Sequence, residues 1–233
     1  MLKIVYGIIF FMIALFSFGE ESGDYSLDYL TGKYTPSKNS FLVKIPSKYC
    51  DGGKEIYGHK DVVPVLIDMI NSAERDGVNL KIISGVRTFY HQKSIWERKW
   101  SKFESEGLSD ELEIMKKILL FSSMPGTSRH HWGTDFDFNS LEDSYFQSGK
   151  GKKEYEWLVK NGANFGFCQV YKKENKKGYS EEKWHWSYMK VSEEMLKQYI
   201  EKVGYINLAG FKGDKNSSRV RAIEDYVSTI SRK

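Results

Sequence analysis

Apolar residues recur at helical spacing over residues 59–76, where Val62, Val65, Leu66, Met69 and Ile70 fall on one face. Further helices are predicted over 89–104, 109–121, 152–162 and 192–203, and a last one over 219–230. Between them the pattern changes to short runs of period two. Lys81-Ile82-Ile83 reads as a buried strand ended by the turn residues Ser84-Gly85, and another strand lies near 167–171. The run 134–138 alternates, so Asp135 and Asp137 share one face while Phe136 and Phe138 share the other. Residues 184–188 alternate too, which sets His185 opposite Trp184 and Trp186. Strands mixed with runs of helices, without a regular βαβ repeat, predict an α+β fold. The expected architecture is a small, mainly antiparallel sheet with helices packed around it, and the residues with ligand chemistry lie on that sheet.

The length, 233 residues, suits one substantial domain with extensions. Residues 59–204 are expected to form the core. Residues 20–58, polar apart from the alternating patch Phe41-Leu42-Val43-Lys44-Ile45, read as an extended lead-in wrapped onto it. Residues 205–233 read as a C-terminal extension ending in the predicted helix. Lys3 followed by the apolar run 4–18, with the small-x-small pair Ser17 and Gly19 at its end, has the form of a signal peptide; the alternative is an uncleaved anchor over 1–19. An exported protein of the periplasm or cell envelope is expected, touching membrane only through that segment. The net charge of +4 comes from interspersed charges rather than a basic arm, which argues against a nucleic-acid partner. Nothing in the pattern asks for more than a monomer. The two cysteines, Cys50 and Cys168, can form a disulfide in an oxidising compartment or remain separate thiols.

The chemistry concentrates in two stretches, Ser128-Arg-His130-His-Trp-Gly133-Thr-Asp135-Phe-Asp137 and Glu182-Lys-Trp184-His185. They offer His130, Asp137 and His185 as three metal ligands of N/O type, with the carboxylate of Glu182 close by. Catalytic zinc uses three such ligands, an open position and a neighbouring base. Each residue also has a plainer reading. His130 can be a satisfied core histidine, Glu182 a solvated member of the run Glu181-Glu182-Lys183, and Arg87 a surface arginine. His131 is assigned to packing or to the surroundings of the ligands. Asp135 is either a partner that orients a ligating imidazole or a hydrogen-bonded strand residue.

The same residues resemble the zinc D-alanyl-D-alanine carboxypeptidases of the VanY type and, more broadly, the LAS group that includes lysostaphin-like and hedgehog-like proteins. The pattern Ser-x-His-x-x-Gly-x-Ala-x-Asp is similar to Ser128, His130, Gly133 and Asp137. Glu-x-Trp-His corresponds to Glu182, Trp184 and His185, and an upstream Ser-Gly-x-Arg…Gln to Ser84, Gly85, Arg87 and Gln92. The resemblance implies one zinc ion on His130, Asp137 and His185, Glu182 as general base and Arg87 as polariser of the scissile carbonyl. It puts Ser128 and Gln92 near the substrate's terminal carboxylate, and makes the substrate and partner a peptidoglycan stem peptide. Asp135 stands where the pattern has Ala, which leaves the detail of the pocket open. Two alternatives stay beside this reading: an L,D-carboxypeptidase or endopeptidase on the same zinc site, and a non-catalytic zinc-containing cell-wall binding module.

Overall fold

Residues 23–232 are described by the computed structural model; the expected signal peptide or anchor at 1–19 lies outside them. Six short strands form two sheets. β1 (Leu42–Lys44) and β2 (Tyr57–His59) make an antiparallel pair. β3 (Ile82–Ser84), β4 (Asp135–Phe138), β5 (Phe167–Gln169) and β6 (His185–Tyr188) form a four-stranded sheet in the order β3-β4-β6-β5, antiparallel throughout. The α+β expectation holds.

The alternation read from the sequence fixes the register of the central pair. Phe136 lies opposite Trp186, and both bury their rings in a core shared with Leu66, Met69 and Leu158. Asp137 then lies opposite His185, and Asp135 opposite Ser187. A one-residue slip would carry two carboxylates and an imidazole into that apolar core, so burial holds the polar set in register.

Helices cover both sides. α1 (Leu27–Leu30) is a single turn, followed by α2 (Val63–Arg75), α3 (Phe89–Ser105), α4 (Glu111–Ile118), α5 (Gly149–Asn161) and α6 (Met189–Lys202). α2 begins with a proline in its first turn and buries Val63, Leu66, Met69, Ile70 and Ala73; of the expected stripe Leu66, Met69 and Ile70 are buried, Val62 is buried just before the helix and Val65 is partly buried. α3 and α4 start at side-chain caps: Thr88 accepts from the His91 N–H and Asp110 from the Glu113 N–H. A second core joins α3, α4 and α6 through Trp96, Trp100, Met115, Ile118 and Tyr199.

The lead-in enters this second core through Tyr25, Tyr29 and Leu30. The Tyr29 hydroxyl donates to the Trp132 carbonyl at 2.8 Å, and Tyr34 donates to that of His131, so both brace the segment that carries His130. The tail departs from expectation. In place of a helix over 219–230, Arg221 takes a left-handed backbone (φ 52°) and a π-helical turn spans Ala222–Val227. Its geometry follows the anchoring: Ala222 and Val227, five residues apart, are both fully buried, and the Ser228 N–H reaches back to the Ile223 carbonyl. Both cysteines are free thiols. Among the described residues no helix is long and apolar enough to cross a membrane.

Candidate metal centre

Three local structures bring the metal-ligand side chains together. His130 sits in a 3-10 turn, Arg129–Trp132, that ends at Gly133 with φ 72°. Any Cβ at Gly133 would stand 2.8 Å from the His59 backbone nitrogen and 2.9 Å from Leu42, so glycine is required on both counts. The chain then enters β4, where Asp137 faces His185 across the β4–β6 ladder. The ligand atoms of His130, Asp137 and His185 all lie within 4.8 Å of one another, and all three residues are buried.

The outer atoms of the two imidazoles settle which nitrogen faces inward. His130 Nδ1 lies 2.8 Å from the Gly85 carbonyl oxygen, which only accepts, so Nδ1 carries the proton. His130 Nε2 then presents a lone pair, 3.3 Å from Asp137 Oδ2. His185 does the reverse: Nε2 donates to Asp135 Oδ2 at 2.9 Å, leaving Nδ1 facing inward, 3.5 Å from Asp137 Oδ1. Asp137 Oδ1 is buried and has no hydrogen-bond partner. A carboxylate with one unpartnered oxygen, beside two imidazole nitrogens turned inward, is the donor set of a divalent cation, and the residues fit one.

Electrostatics agree. Burial alone would lower the His185 pKa, but hydrogen bonds to Asp135 and Glu182 and the charge of Asp137 push it up to about 9. Burial raises the Asp137 carboxyl, yet His130, His185 and Arg87 bring it down to about 2. Without metal, the cluster holds a proton where a cation fits.

Glu182 reaches the centre through a turn in which its N–H bonds the Tyr171 carbonyl and its own carbonyl accepts from the His185 N–H. Its Oε2 lies 3.2 Å from His185 Nδ1. It is buried, not a solvated member of a charge run, and burial raises its pKa. Arg87 follows β3 and is held on several sides. It donates to Asp137 Oδ2 at 3.2 Å, to Ser84 Oγ at 2.9 Å and to Gln92 Oε1 at 3.0 Å.

The two residues expected near a terminal carboxylate, Gln92 and Ser128, are both buried beside the centre's supporting segments. Gln92 is fully buried; its carbonyl accepts from Arg87 and its amide donates to the Ser123 carbonyl, so it fixes Arg87 rather than facing open space. Ser128 is buried, and its hydroxyl has no partner. His131 is a core clamp: it accepts from the Gly126 N–H and donates to the Arg87 carbonyl. Asp135, where the family pattern has Ala, orients His185 and is not among the three clustered ligands.

Arg87, His130, Asp137, Glu182 and His185 line one wall of a cavity of about 520 Å³. The rest of the lining comes from residues that no motif announced. Arg98 and Lys99 come from α3, Phe121 and Ser122 from the loop after α4, and Leu141 and Glu142 from the loop after β4. Lys99 Nζ donates to Ser122 Oγ at 2.6 Å and pairs with no carboxylate among the described residues. The one available signal was spacing: Lys99 lies seven residues, two helical turns, beyond Gln92 on the same face of α3. Of the three tryptophans near the motifs, Trp184 lines the cavity, whereas Trp132 and Trp186 belong to the cores.

Known proteins supply independent findings. The profile of the family described as VanY, D-alanyl-D-alanine carboxypeptidase, matches residues 55–191. A D-alanyl-D-alanine carboxypeptidase of Enterococcus faecalis (strain ATCC 700802 / V583) is 30% identical over 132 residues, which is 56% of this chain. The chain spans about half, 47%, of that relative's length. A variant of the vancomycin-resistance D,D-pentapeptidase VanY, solved with Zn(II), is 26% identical with a TM-score of 0.50, over 67% of this chain and 88% of that one. The LdcB LD-carboxypeptidase, whose structure addresses peptidoglycan recognition, is 26% identical with a TM-score of 0.55, over 74% and 81%.

Proposed function

The chain belongs to the VanY family of D-alanyl-D-alanine carboxypeptidases, and from that premise we propose that it is a zinc-dependent carboxypeptidase hydrolysing the terminal D-Ala-D-Ala bond of peptidoglycan stem peptides. The observation that carries this reading is the convergence of His130, Asp137 and His185 around an unpartnered Asp137 oxygen, with a buried Glu182 beside them at the wall of an open cavity. His130, Asp137 and His185 would hold the ion. When bound, zinc polarises a carbonyl and acidifies a water.

This chain's residues do the rest. Glu182 takes the proton of the attacking water and delivers it to the departing amine, and its raised pKa brings it closer to the range a proton shuttle needs. A binding module has no use for such a base. Arg87, held by Ser84, Gln92 and Asp137, presents a fixed guanidinium to the oxygen that gains charge as the carbonyl becomes tetrahedral. Arg98 and Lys99 add two cations to the lining of the same cavity, which suits a substrate that ends in a carboxylate. Residues 59–204 form the catalytic unit in this reading, with the lead-in and tail packed on it. A stem-peptide substrate places the protein outside the cytoplasm, in the envelope.

The likeness to LdcB keeps L,D specificity as the second reading. Zinc-loaded protein incubated with stem peptides ending in D-Ala-D-Ala or L-Lys-D-Ala, with products weighed by mass, decides between them. Loss of one D-Ala from the first, abolished by chelator and by Glu182→Ala, is expected. Release from the second alone establishes the L,D enzyme, internal cleavage an endopeptidase, and zinc binding without turnover the binding module.

A further inference from the structure

The two imidazoles of the centre are held in unlike ways. His130 leans on a neutral backbone carbonyl, whereas His185 leans on a carboxylate that belongs to a buried network. Asp135 is fully buried and uses both oxygens. Oδ2 accepts from His185 Nε2 and from Arg129 Nε, each at 2.9 Å; Oδ1 accepts from the hydroxyls of Thr134 and Ser187, each at 2.7 Å. Arg129 is as buried as its partner. Its Nη2 donates to Ser187 Oγ at 2.7 Å, and its guanidinium lies 4.8 Å from the centre of the Trp132 ring.

A buried ion pair is weak evidence for stability, because desolvating both charges offsets most of their attraction. Its placement is more telling. The centre already contains Asp137 and Glu182, and a third bare carboxylate would overload it with negative charge. An apolar side chain at 135 would leave the outer His185 nitrogen without an acceptor. The Arg129–Asp135 pair meets both conditions: a full carboxylate for the imidazole, with its net charge cancelled on the far side. Ser187, the cross-strand partner of Asp135, touches both members and fixes their planes.

We infer that Asp135 is a positioning residue for His185, and that Arg129 balances its charge so that the pair, rather than the carboxylate alone, sets the affinity of the centre for its metal ion. The inference rests on the metal-centre reading above. Carboxylate contacts of this kind change metal affinity by about 10–100-fold when removed. The two members should therefore act in opposite directions. Asp135→Ala removes the acceptor and leaves Arg129 unbalanced beside the site, which weakens the ion. Arg129→Met removes the balancing charge and leaves an extra negative one, which strengthens the ion while destabilising the fold.

The test measures zinc dissociation constants by competition with a chromophoric chelator, alongside the melting temperature and the 15N signals of the His185 ring. The zinc-loaded wild type should show a His185 ring protonated at Nε2 alone. Asp135→Ala should lose about 10–100-fold in affinity together with that signature. Asp135→Asn, which keeps the shape and one acceptor, should lose less and keeps the test readable if the alanine variant does not fold. Arg129→Met should melt lower yet bind zinc at least as tightly as the wild type. Unchanged affinity in both Asp135 variants overturns the inference. So does an Arg129→Met protein that loses zinc as Asp135→Ala does, since the pair would then only hold the fold. Failure of the wild type itself to bind zinc is a different result and sinks the metal-centre reading instead.

Discussion

The two walls of the cavity are built on different principles. On the metal wall the ring groups are buried, Arg87 is partly buried, and each is held by at least one fixed partner: His130 by Gly85, His185 by Asp135, Arg87 by Ser84 and Gln92. On the facing wall Phe121 and Leu141 are about half exposed, at 50% and 53%, and Lys99 has a serine hydroxyl for a partner. The first wall is preorganised, so its groups need not reorganise as charge develops. The second is more exposed and carries the cations Arg98 and Lys99, which suit the anionic peptide end of the proposed substrate. Substitutions should sort accordingly, with the metal wall moving kcat and metal affinity and the facing wall moving KM.

Replacing ligands tests this division hardest. His185→Ala and Asp137→Ala should bind no zinc at stoichiometric concentration and show no turnover, by chelator competition and product mass. Glu182→Gln should separate the two properties of the wall. It should retain zinc, with kcat down by about 10²–10⁴-fold, the range for a lost general acid–base group. A Glu182→Gln enzyme with normal kcat would remove that residue from the mechanism. Next comes Arg87→Ala, expected to lower kcat by about 10²–10³-fold, as loss of an oxyanion donor does. Gln92→Ala should act the same way but more weakly, because it reaches the substrate only through Arg87.

Proton linkage sharpens the picture of the metal wall. In the metal-free protein the His185 pKa is about 9, above the ordinary 6.5, so its protonated form stabilises the fold fully below 6.5 and that contribution is lost as pH rises through 9. Zinc binding must expel the same proton. Apparent zinc affinity should therefore rise about tenfold per pH unit between pH 7 and 9, with close to one proton released per ion. The melting temperature of the metal-free protein should fall over that interval while that of the loaded protein does not. Calorimetry in buffers of different ionisation enthalpy measures the proton directly; zero release would mean the centre is already open without metal.

The same division governs how much was legible in the sequence. The metal wall sits on period-two strands and a glycine-ended turn, so Asp137, His185 and His130 were readable from alternation and motif together. The five main helices fall within about three residues of expectation at most of their ends, because their buried stripes are regular. The facing wall has no such grammar. Lys99 is one of many helix lysines until α3 is packed, and Ser122 and Leu141 lie in loops whose course only tertiary contacts fix. Gln92 was readable as a site residue from its motif, but only packing shows that its amide bridges Arg87 and the Ser123 carbonyl. The tail helix failed because the anchoring of Ala222 and Val227 overrides local helical spacing.

The facing wall gives the smallest effects and the sharpest distinction. Burial, with Arg87 and Arg98 nearby and Glu182 partly opposing them, lowers the Lys99 pKa. An anion arriving at that wall meets an ammonium whose direct hydrogen-bond partner is a neutral hydroxyl. Lys99→Ala should raise KM for a peptide with a free terminal carboxylate by about tenfold, close to the worth of one charge-assisted hydrogen bond, and leave kcat within about twofold. Phe121→Ala, which removes only apolar contact, should raise KM by about two- to threefold. Amidating the peptide's C-terminus should abolish the difference between wild type and Lys99→Ala but keep that between wild type and Phe121→Ala. If instead Lys99→Ala lowers kcat and spares KM, the cation acts on the reacting atoms, and the line drawn between the two walls is in the wrong place.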